Sequence, residues 1–302
     1  MTYPEMEAAL KAQIGDPGML NILPYEIEVA LNAAQLQVGN RLINVARSLF
    51  SKTKTYSTST AAFQTLPADY LESILVLYDS AGSTDLRQAT MLPISKVNQR
   101  KTNPYYIPRQ SEPIAWIIGN SIYYEPVPTA GTNNLQLWYI RKPIWMNREK
   151  KRTMTTVAGG STTTLKVTDG VVANYSTDFW ANSIAAFDTA ASTTPELLGQ
   201  RKTVLSFTPA ATSTFTFDAA DPFGVAVPAG CQVRIEDTSI IPEQFHELIV
   251  KGAEAQIRRK LGQATEILEN RLDQMFKEIA AGFGENPEVR MPGQIIPPQR
   301  VQ

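Results

Sequence analysis

Residues 241–284 read IPEQFHELIVKGAEAQIRRKLGQATEILENRLDQMFKEIAAGFG, and their apolar spacing decides what kind of fold the chain can have. Phe245, Leu248, Ile249, Ala253, Ile257, Leu261, Ala264, Leu268, Leu272, Met275 and Ile279 recur mostly at steps of three and four residues, which puts them on one stripe of a helix. Read as a single helix from Pro242 to about Phe283, the segment would be about 60 Å long at 1.5 Å per residue. A stripe of that length needs a partner, either another helix of this chain or a neighbouring copy. Phe245, Ile249, Ile257, Leu261, Leu268, Leu272 and Met275 are therefore the predicted subunit-packing positions.

Working outward, the start of the chain offers two more helices. Thr2 and Glu5 have capping-box spacing with Pro4 in the first turn, predicting a short helix from Tyr3 to Gln13, ended by Gly15 to Gly18. Pro24 opens a longer one to Phe50, whose Ile27, Ala30, Leu31, Ala34, Val38, Leu42, Val45 and Leu49 share a face. That face is the predicted internal partner of the C-terminal stripe.

Between these helices the pattern changes to strands. Leu71–Tyr78 is rich in β-branched and aromatic residues, Ile114–Pro128 forms two apolar runs meeting at Gly119-Asn120, and LQLWYIRKP from Leu135 supplies another strand. The proline-rich stretch from Leu92 to Gln110 reads as a short helix and a surface loop. From Thr153 to Glu236 the chain is rich in Thr, Ser, Ala and Gly, with strand-like pieces TTLKV, KTVLSF, STFTF and CQVRI. The expected fold is α+β. A bundle of N- and C-terminal helices with a small antiparallel sheet (residues 1–152 and 237–302) carries an inserted all-β module, sandwich- or barrel-like, over residues 153–236. Long surface insertions cost little loop entropy, which permits this arrangement. Residues 284–302, rich in proline, read as an extended C-terminal arm.

Composition removes several function classes. The 302 residues carry a net charge of −1 and one cysteine, Cys231, which excludes an internal disulfide and the strong positive field of a protein that grips nucleic acid. No apolar run is long enough to span a membrane, and MTYPEMEAALKAQ lacks the form of a signal peptide. Folding and assembly in a cytoplasm is the expectation.

No catalytic, cofactor or metal set is expected. His246 is the only histidine, too far in sequence and context from Cys231 to build a zinc or nucleophile site, and it reads as a packing or interfacial residue. Asp169, Asp178, Asp188, Asp218 and Asp221 stand in turn-like contexts, and there is no Walker loop, dinucleotide fingerprint or nucleophile elbow. Three features point instead to interaction. Arg148, Lys150, Lys151 and Arg152 form a basic run that can face DNA. Trp116, Tyr123, Tyr124, Trp138, Tyr139 and Trp145 cluster on the strands, half of them expected in the core. The proline-rich arm suits docking in a partner's groove. An alternative reading makes the β module a carbohydrate- or receptor-binding domain, with Tyr175 and Trp180 exposed. A hydrolase using Asp169 and Asp178 is the third.

The order of LPYEIEVALNAAQLQVGNRL, FQTLPADYLESILVLYD, a hairpin ending IYYEPVP, LQLWYIRKP and IPEQFHELIVKGAEAQIRRKL resembles the head-to-tail adaptor proteins of tailed bacteriophages. The resemblance covers roughly residues 20–145 and 240–280 and leaves out the β module. It implies a non-enzymatic virion protein forming a ring, commonly of twelve copies, below the portal. Such a ring extends the DNA channel, touches passing double-stranded DNA only transiently and offers a platform to the tail or nozzle. It also implies an arm that reaches the portal, which assigns Arg290, Met291, Pro292, Ile295, Ile296, Pro297 and Pro298 to portal contact.

Overall fold

A computed structural model of the chain describes residues 1–15, 22–58, 62–80, 86–102, 107–128, 134–187 and 194–284. In chain order these form α1 (Tyr3–Ile14), α2 (Pro24–Val45), β1 (Ser51–Tyr56), β2 (Phe63–Thr65), β3 (Tyr70–Tyr78), β4 (Arg87–Gln88), β5 (Thr90–Met91) and α3 (Ile94–Thr102). There follow β6 (Ile114–Ile118), β7 (Ser121–Glu125), β8 (Leu135–Arg141), β9 (Lys151–Thr155), β10 (Thr164–Val167), β11 (Ile184–Ala186), β12 (Arg201–Thr208), β13 (Ser213–Phe217), β14 (Gln232–Glu236), α4 (His246–Lys260) and α5 (Glu266–Gly284). The fold is mixed α+β with several sheets. Packing divides it into two compact units, one of Met1–Gly39 with Pro143–Glu278 and one of Asn40–Lys142 with the end of α5 from Ile279.

In the first unit α1 begins as its sequence predicts, but its cap is shared. The Glu5 carboxylate accepts the Thr2 N–H at 2.8 Å, while the Thr2 hydroxyl donates to Glu236 at 2.6 Å. Helix and strand β14 are thereby tied at the first residue, reinforced by Tyr3 N–H donating to the Asp237 carbonyl at 2.8 Å. On α2 the predicted face is buried at Ile27, Ala30, Leu31, Ala34, Val38 and Leu42. The helix stops at Val45, and Arg47–Phe50 continues as a single tighter turn.

The long C-terminal helix is corrected to a hairpin. Gly262 takes a left-handed φ of +71°, the Gln263 N–H donates to the Arg258 carbonyl at 2.9 Å and the Gly262 N–H to the Arg259 carbonyl at 3.1 Å. These two bonds close the helix end that a glycine after the last turn makes possible. Thr265 then starts α5, its hydroxyl donating to Glu269 at 2.6 Å. Two helices of 15 and 19 residues replace the single rod, and the apolar spacing survives because the five-residue turn falls in step with it.

The β strands of this unit form one six-stranded sheet in the order β10-β13-β12-β11-β14-β9. Its ends approach each other through a bridge between Thr156 and Val167, which curls it into a half-barrel. The four strands read from the sequence all appear, and β9 and β11 join them. Inside lie Leu165, Val167, Trp180, Phe187, Phe207, Phe215, Phe217, Phe223 and their neighbours, a buried cluster drawn entirely from residues 154–235.

The second unit holds two four-stranded sheets, β1-β8-β3-β4 and β2-β7-β6-β5, where one small sheet was expected. Pairing is antiparallel except for β5 on β6. Gly119 takes φ +57° at the predicted hairpin turn. The sheets share a core of Val76, Tyr78, Leu137 and Tyr139 against Ala115, Ile122 and Tyr124, with the Tyr78 and Tyr124 rings 4.8 Å apart. Of the aromatic cluster, Trp116, Tyr124 and Tyr139 are buried while their strand neighbours Tyr123 and Trp138 are only half-buried, the division that strand alternation implies; Trp145 is exposed on irregular chain after β8.

His246 opens α4 from a buried position, and its Nε2–H donates to the Ile241 carbonyl at 2.7 Å. Burial pushes its pKa below the usual 6.5 because the charged form is desolvated. A base with a depressed folded-state pKa binds its proton more readily when unfolded. The neutral form's stability is therefore present above about pH 6.5 and is lost as pH falls through that value. Urea unfolding of the chain from pH 7.5 to 5.5 should show this decline. His246→Gln, which keeps a donor toward Ile241, should flatten it; an equal slope in both proteins would refute the assignment.

Candidate assembly surface

Helix α4 buries Leu248, Ile249, Val250, Ala253, Ala255 and Ile257. It approaches α2 closely where small residues meet, since a Cβ placed on Gly252 would lie 3.2 Å from the Ala34 Cβ. Phe245, Ile249 and Ile257, three of the predicted subunit-packing residues, are thus buried in the chain's own core. The other four lie elsewhere: Leu261 is exposed at the hairpin turn, and Leu268, Leu272 and Met275 are half-buried on α5. None of the described residues of α5 is fully buried. Arg259 pairs with Glu269 at 2.5 Å, and the Lys251 ammonium sits 4.0 Å from the Met275 sulfur. The apolar stripe of α5 is partly covered, while Ile267 beside it is 88% exposed.

At the hairpin turn a second apolar feature opens. Ile22, Leu23, Tyr25 and Val29 at the start of α2, with Ile257 and Leu261 at the end of α4, line a groove of about 490 Å³. Leu23 is 64% and Tyr25 71% exposed. On the rim Glu26 pairs with Lys260, which holds the Glu26 carboxyl below the usual carboxylate range. Sequence reasoning missed this groove. Its signal was the pair of large apolar residues flanking Pro24, off the buried stripe of α2.

A segment of irregular chain, residues 143–147, crosses α2 in the first unit. Asn32 pairs with both backbone groups of Met146, accepting its N–H at 2.6 Å and donating to its carbonyl at 3.0 Å. Gln35 donates to the Ile144 carbonyl at 2.7 Å. Both side chains are fully buried, so they supply the bonds that water cannot.

The basic run is drawn into internal pairs. Arg148 lies 3.7 Å from Glu7, Lys150 3.3 Å from Asp237, and Arg152 meets Asp169 through two bonds of 2.8 and 3.1 Å. The Arg152 guanidinium holds the Asp169 carboxyl below its ordinary value, whereas burial pushes that of Asp237 up despite Lys150. Lys151 is exposed on β9. Positive charge is concentrated elsewhere: of 28 Lys and Arg and 29 Asp and Glu in the chain, residues 40–142 hold eleven and six.

The carboxylates of the β module serve turns and pairs. Asp178 accepts the Phe207 N–H at 3.0 Å, Asp218 the Ala220 N–H at 2.9 Å, and Asp221 pairs with Lys202; Asp188 lies outside the described residues. Trp180, expected to be exposed, is 1% exposed, its indole packed edge-on against Tyr175, Phe179 and Phe215. Trp180 is thereby corrected to a core residue, whereas Tyr175 is half-buried and stacks on Phe179. Cys231 is buried, and among the described residues no group of three or more His, Cys, Asp or Glu is placed to hold a metal. No helix among them is long and apolar enough to cross a membrane. The arm positions Arg290, Met291, Pro292, Ile295, Ile296, Pro297 and Pro298 lie outside the described residues.

Residues 1–147 match the family model described as SU10 adaptor protein, a phage head-to-tail adaptor family. No curated protein matches the chain. The match covers the first stretch of the sequence resemblance, residues 20–145, and does not reach the second, residues 240–280.

The matched segment ends on the crossing over α2, and Asn32 is what closes it. Asn32→Leu would leave the Met146 N–H and carbonyl buried without partners, at a cost of about 1–3 kcal/mol for each group left unsatisfied. Denaturant titration should show a loss of that order, against a much smaller one for a surface change such as Asn44→Ala. Equal effects would show that the crossing is not held this way.

Proposed function

We propose that the chain is a head-to-tail adaptor subunit that assembles into a ring below the portal, extends the DNA channel and gives the tail its attachment platform. The observation that carries the reading is the adaptor-family match over residues 1–147. Residues 1–152 and 237–302 make the adaptor body, built on a bundle of α1, α2, α4 and α5, and residues 153–236 are an insertion. Two facts support that division. The match stops just before β9, and the buried cluster of the module takes no residue from the helices.

The half-buried stripe of α5 supplies the contact between neighbouring subunits. A closed ring buries on every copy a face that a single chain leaves in water. Twelve copies is the family's usual number and the one adopted here. The arm residues from Arg290 to Pro298 engage the portal. DNA passes with transient contact only, and on this reading Lys151 meets its phosphates, since Arg148, Lys150 and Arg152 already have carboxylate partners.

Electron microscopy of virions, or of the protein mixed with portal, should show the ring at the capsid vertex; a strictly monomeric protein absent from virions would sink the proposal. Leu272→Asp gives a finer test. Leu272 is only half-buried, so the variant should keep its fold to within about 1 kcal/mol while losing ring formation by light scattering. Normal rings from this variant would place the seam on another face.

A further inference from the structure

The turn between α4 and α5 is made of residues that a helix accepts. Leu261, Gly262, Gln263, Ala264 and Thr265 separate the two helices. Alanine, leucine and glutamine are good helix formers, threonine is a weaker one, and glycine alone strongly opposes. A turn committed to its shape carries proline, asparagine, aspartate or a second glycine, and this one has none. The apolar stripe also crosses it in phase. Ile257, Leu261, Ala264, Leu268, Leu272 and Met275 follow at steps of four, three, four, four and three, the spacing of one uninterrupted helix. A permanent hairpin sets the phase of its second helix independently of the first and requires no such continuity.

Both helices, up to Glu278, lie in the first compact unit. Straightening them exchanges the bonds that close α4 on the Arg258 and Arg259 carbonyls for the regular bonds of a continuous helix. It separates Arg259 from Glu269 and the Lys251 ammonium from the Met275 sulfur, and the first of these is a surface ion pair of small worth. Lys251 keeps Glu247 and Thr265 keeps Glu269, because each pair is four residues apart. What opposes the change in a single chain is Gly262, together with the cover that Leu268, Leu272 and Met275, half-buried in the hairpin, would give up. We propose that α4 and α5 are the arms of a switch, a hairpin in the free subunit and one helix from His246 to Glu278 in the assembled one, with residues 262–265 as the hinge. The trigger, a neighbouring copy that covers the α5 stripe, rests on the ring reading above; the hinge itself does not.

The two forms differ by a distance that spin labels read in the full chain. Glu247→Cys and Gln274→Cys are exposed positions, and Cys231 is buried and stays unlabelled. In the hairpin the labels stand within about 20 Å, on neighbouring helices, whereas 27 residues of continuous helix put them about 40 Å apart. Double electron–electron resonance should give the short distance in the free subunit and the long one in rings. In the free subunit Gly262→Ala should shift the balance about tenfold or more toward the long distance and bring it into view, since alanine suits the helix interior and opposes the positive φ of the turn. Adding Glu266→Pro should restore the short distance. Residue 266 is the first of α5, where a helix accepts proline, but it is interior to the continuous helix, which proline breaks. A Gly262→Ala chain with the short distance alone, or a long distance that survives the proline, overturns the switch. Rings that keep the short distance overturn it too and leave the adaptor assembly standing. A chain that forms no rings sinks the ring reading and with it the trigger, while the free-chain comparison still decides the hinge.

Discussion

The first compact unit depends on how irregular backbone is laid against a helix. The chain leaves this unit after Gly39 and re-enters it at Pro143, and the returning segment has no ladder of its own to satisfy its N–H and carbonyl groups. Helix α2 supplies the partners from one seam. Asn32, Gln35 and Gly39 follow at steps of three and four, the first two offering amides and the third offering space. A Cβ at Gly39 would stand 2.4 Å from the Pro143 Cγ, closer than any real contact. Beside this polar seam runs the apolar stripe of Ile27, Leu31, Ala34 and Val38, whose Ala34 meets α4. One helix therefore organises two neighbours by two chemistries, hydrogen-bond complementarity on one seam and close packing on the other.

Elements with a buried face were legible in the sequence. The stripe of α2, the Gly119 hairpin and strands β3, β8, β12 and β13 each carry a period that burial enforces. Strands β1 and β9 were not legible, and both stand at sheet edges. Their sequences, SKTKTY and KRTMT, carry exposed lysines and threonines where an edge needs protection against further pairing. The helix break at Gly262 was legible in principle, since glycine followed three residues later by threonine is a stop and a start, but the unbroken apolar spacing concealed it. Of the candidate site, the family relationship and the α5 stripe were readable. The groove was not, because it arises from Leu23 and Tyr25 approaching Ile257 and Leu261, more than two hundred residues away.

The fate of the basic run shows what a linear charge count misses. Four cations in five residues suggest an anion-facing surface, yet three have carboxylates within 4 Å in the fold. Arg152 and Asp169 form the best geometry of the set, two parallel bonds from guanidinium to carboxylate. Such a pair fixes β9 to the turn that follows β10. It is a joint of the β module before it is anything else.

That distinction bears on what an adaptor has to do. A channel that binds phosphate tightly at many points would hold the genome it must release, because each phosphate contact adds its own salt-dependent increment to affinity. Cations already neutralised inside the chain contribute little to such an affinity, while dispersed, solvated lysines and arginines contribute a weak and long-ranged attraction that screens within about 8 Å at physiological salt. The near-balance of 28 cationic and 29 anionic side chains leaves the chain without the strong positive field that such retention needs. The apolar surface is divided in a comparable way: α4 is committed to the core at Leu248, Ile249 and Ile257, while none of the described residues of α5 is fully buried, so a substitution on α5 costs the fold less than one on α4.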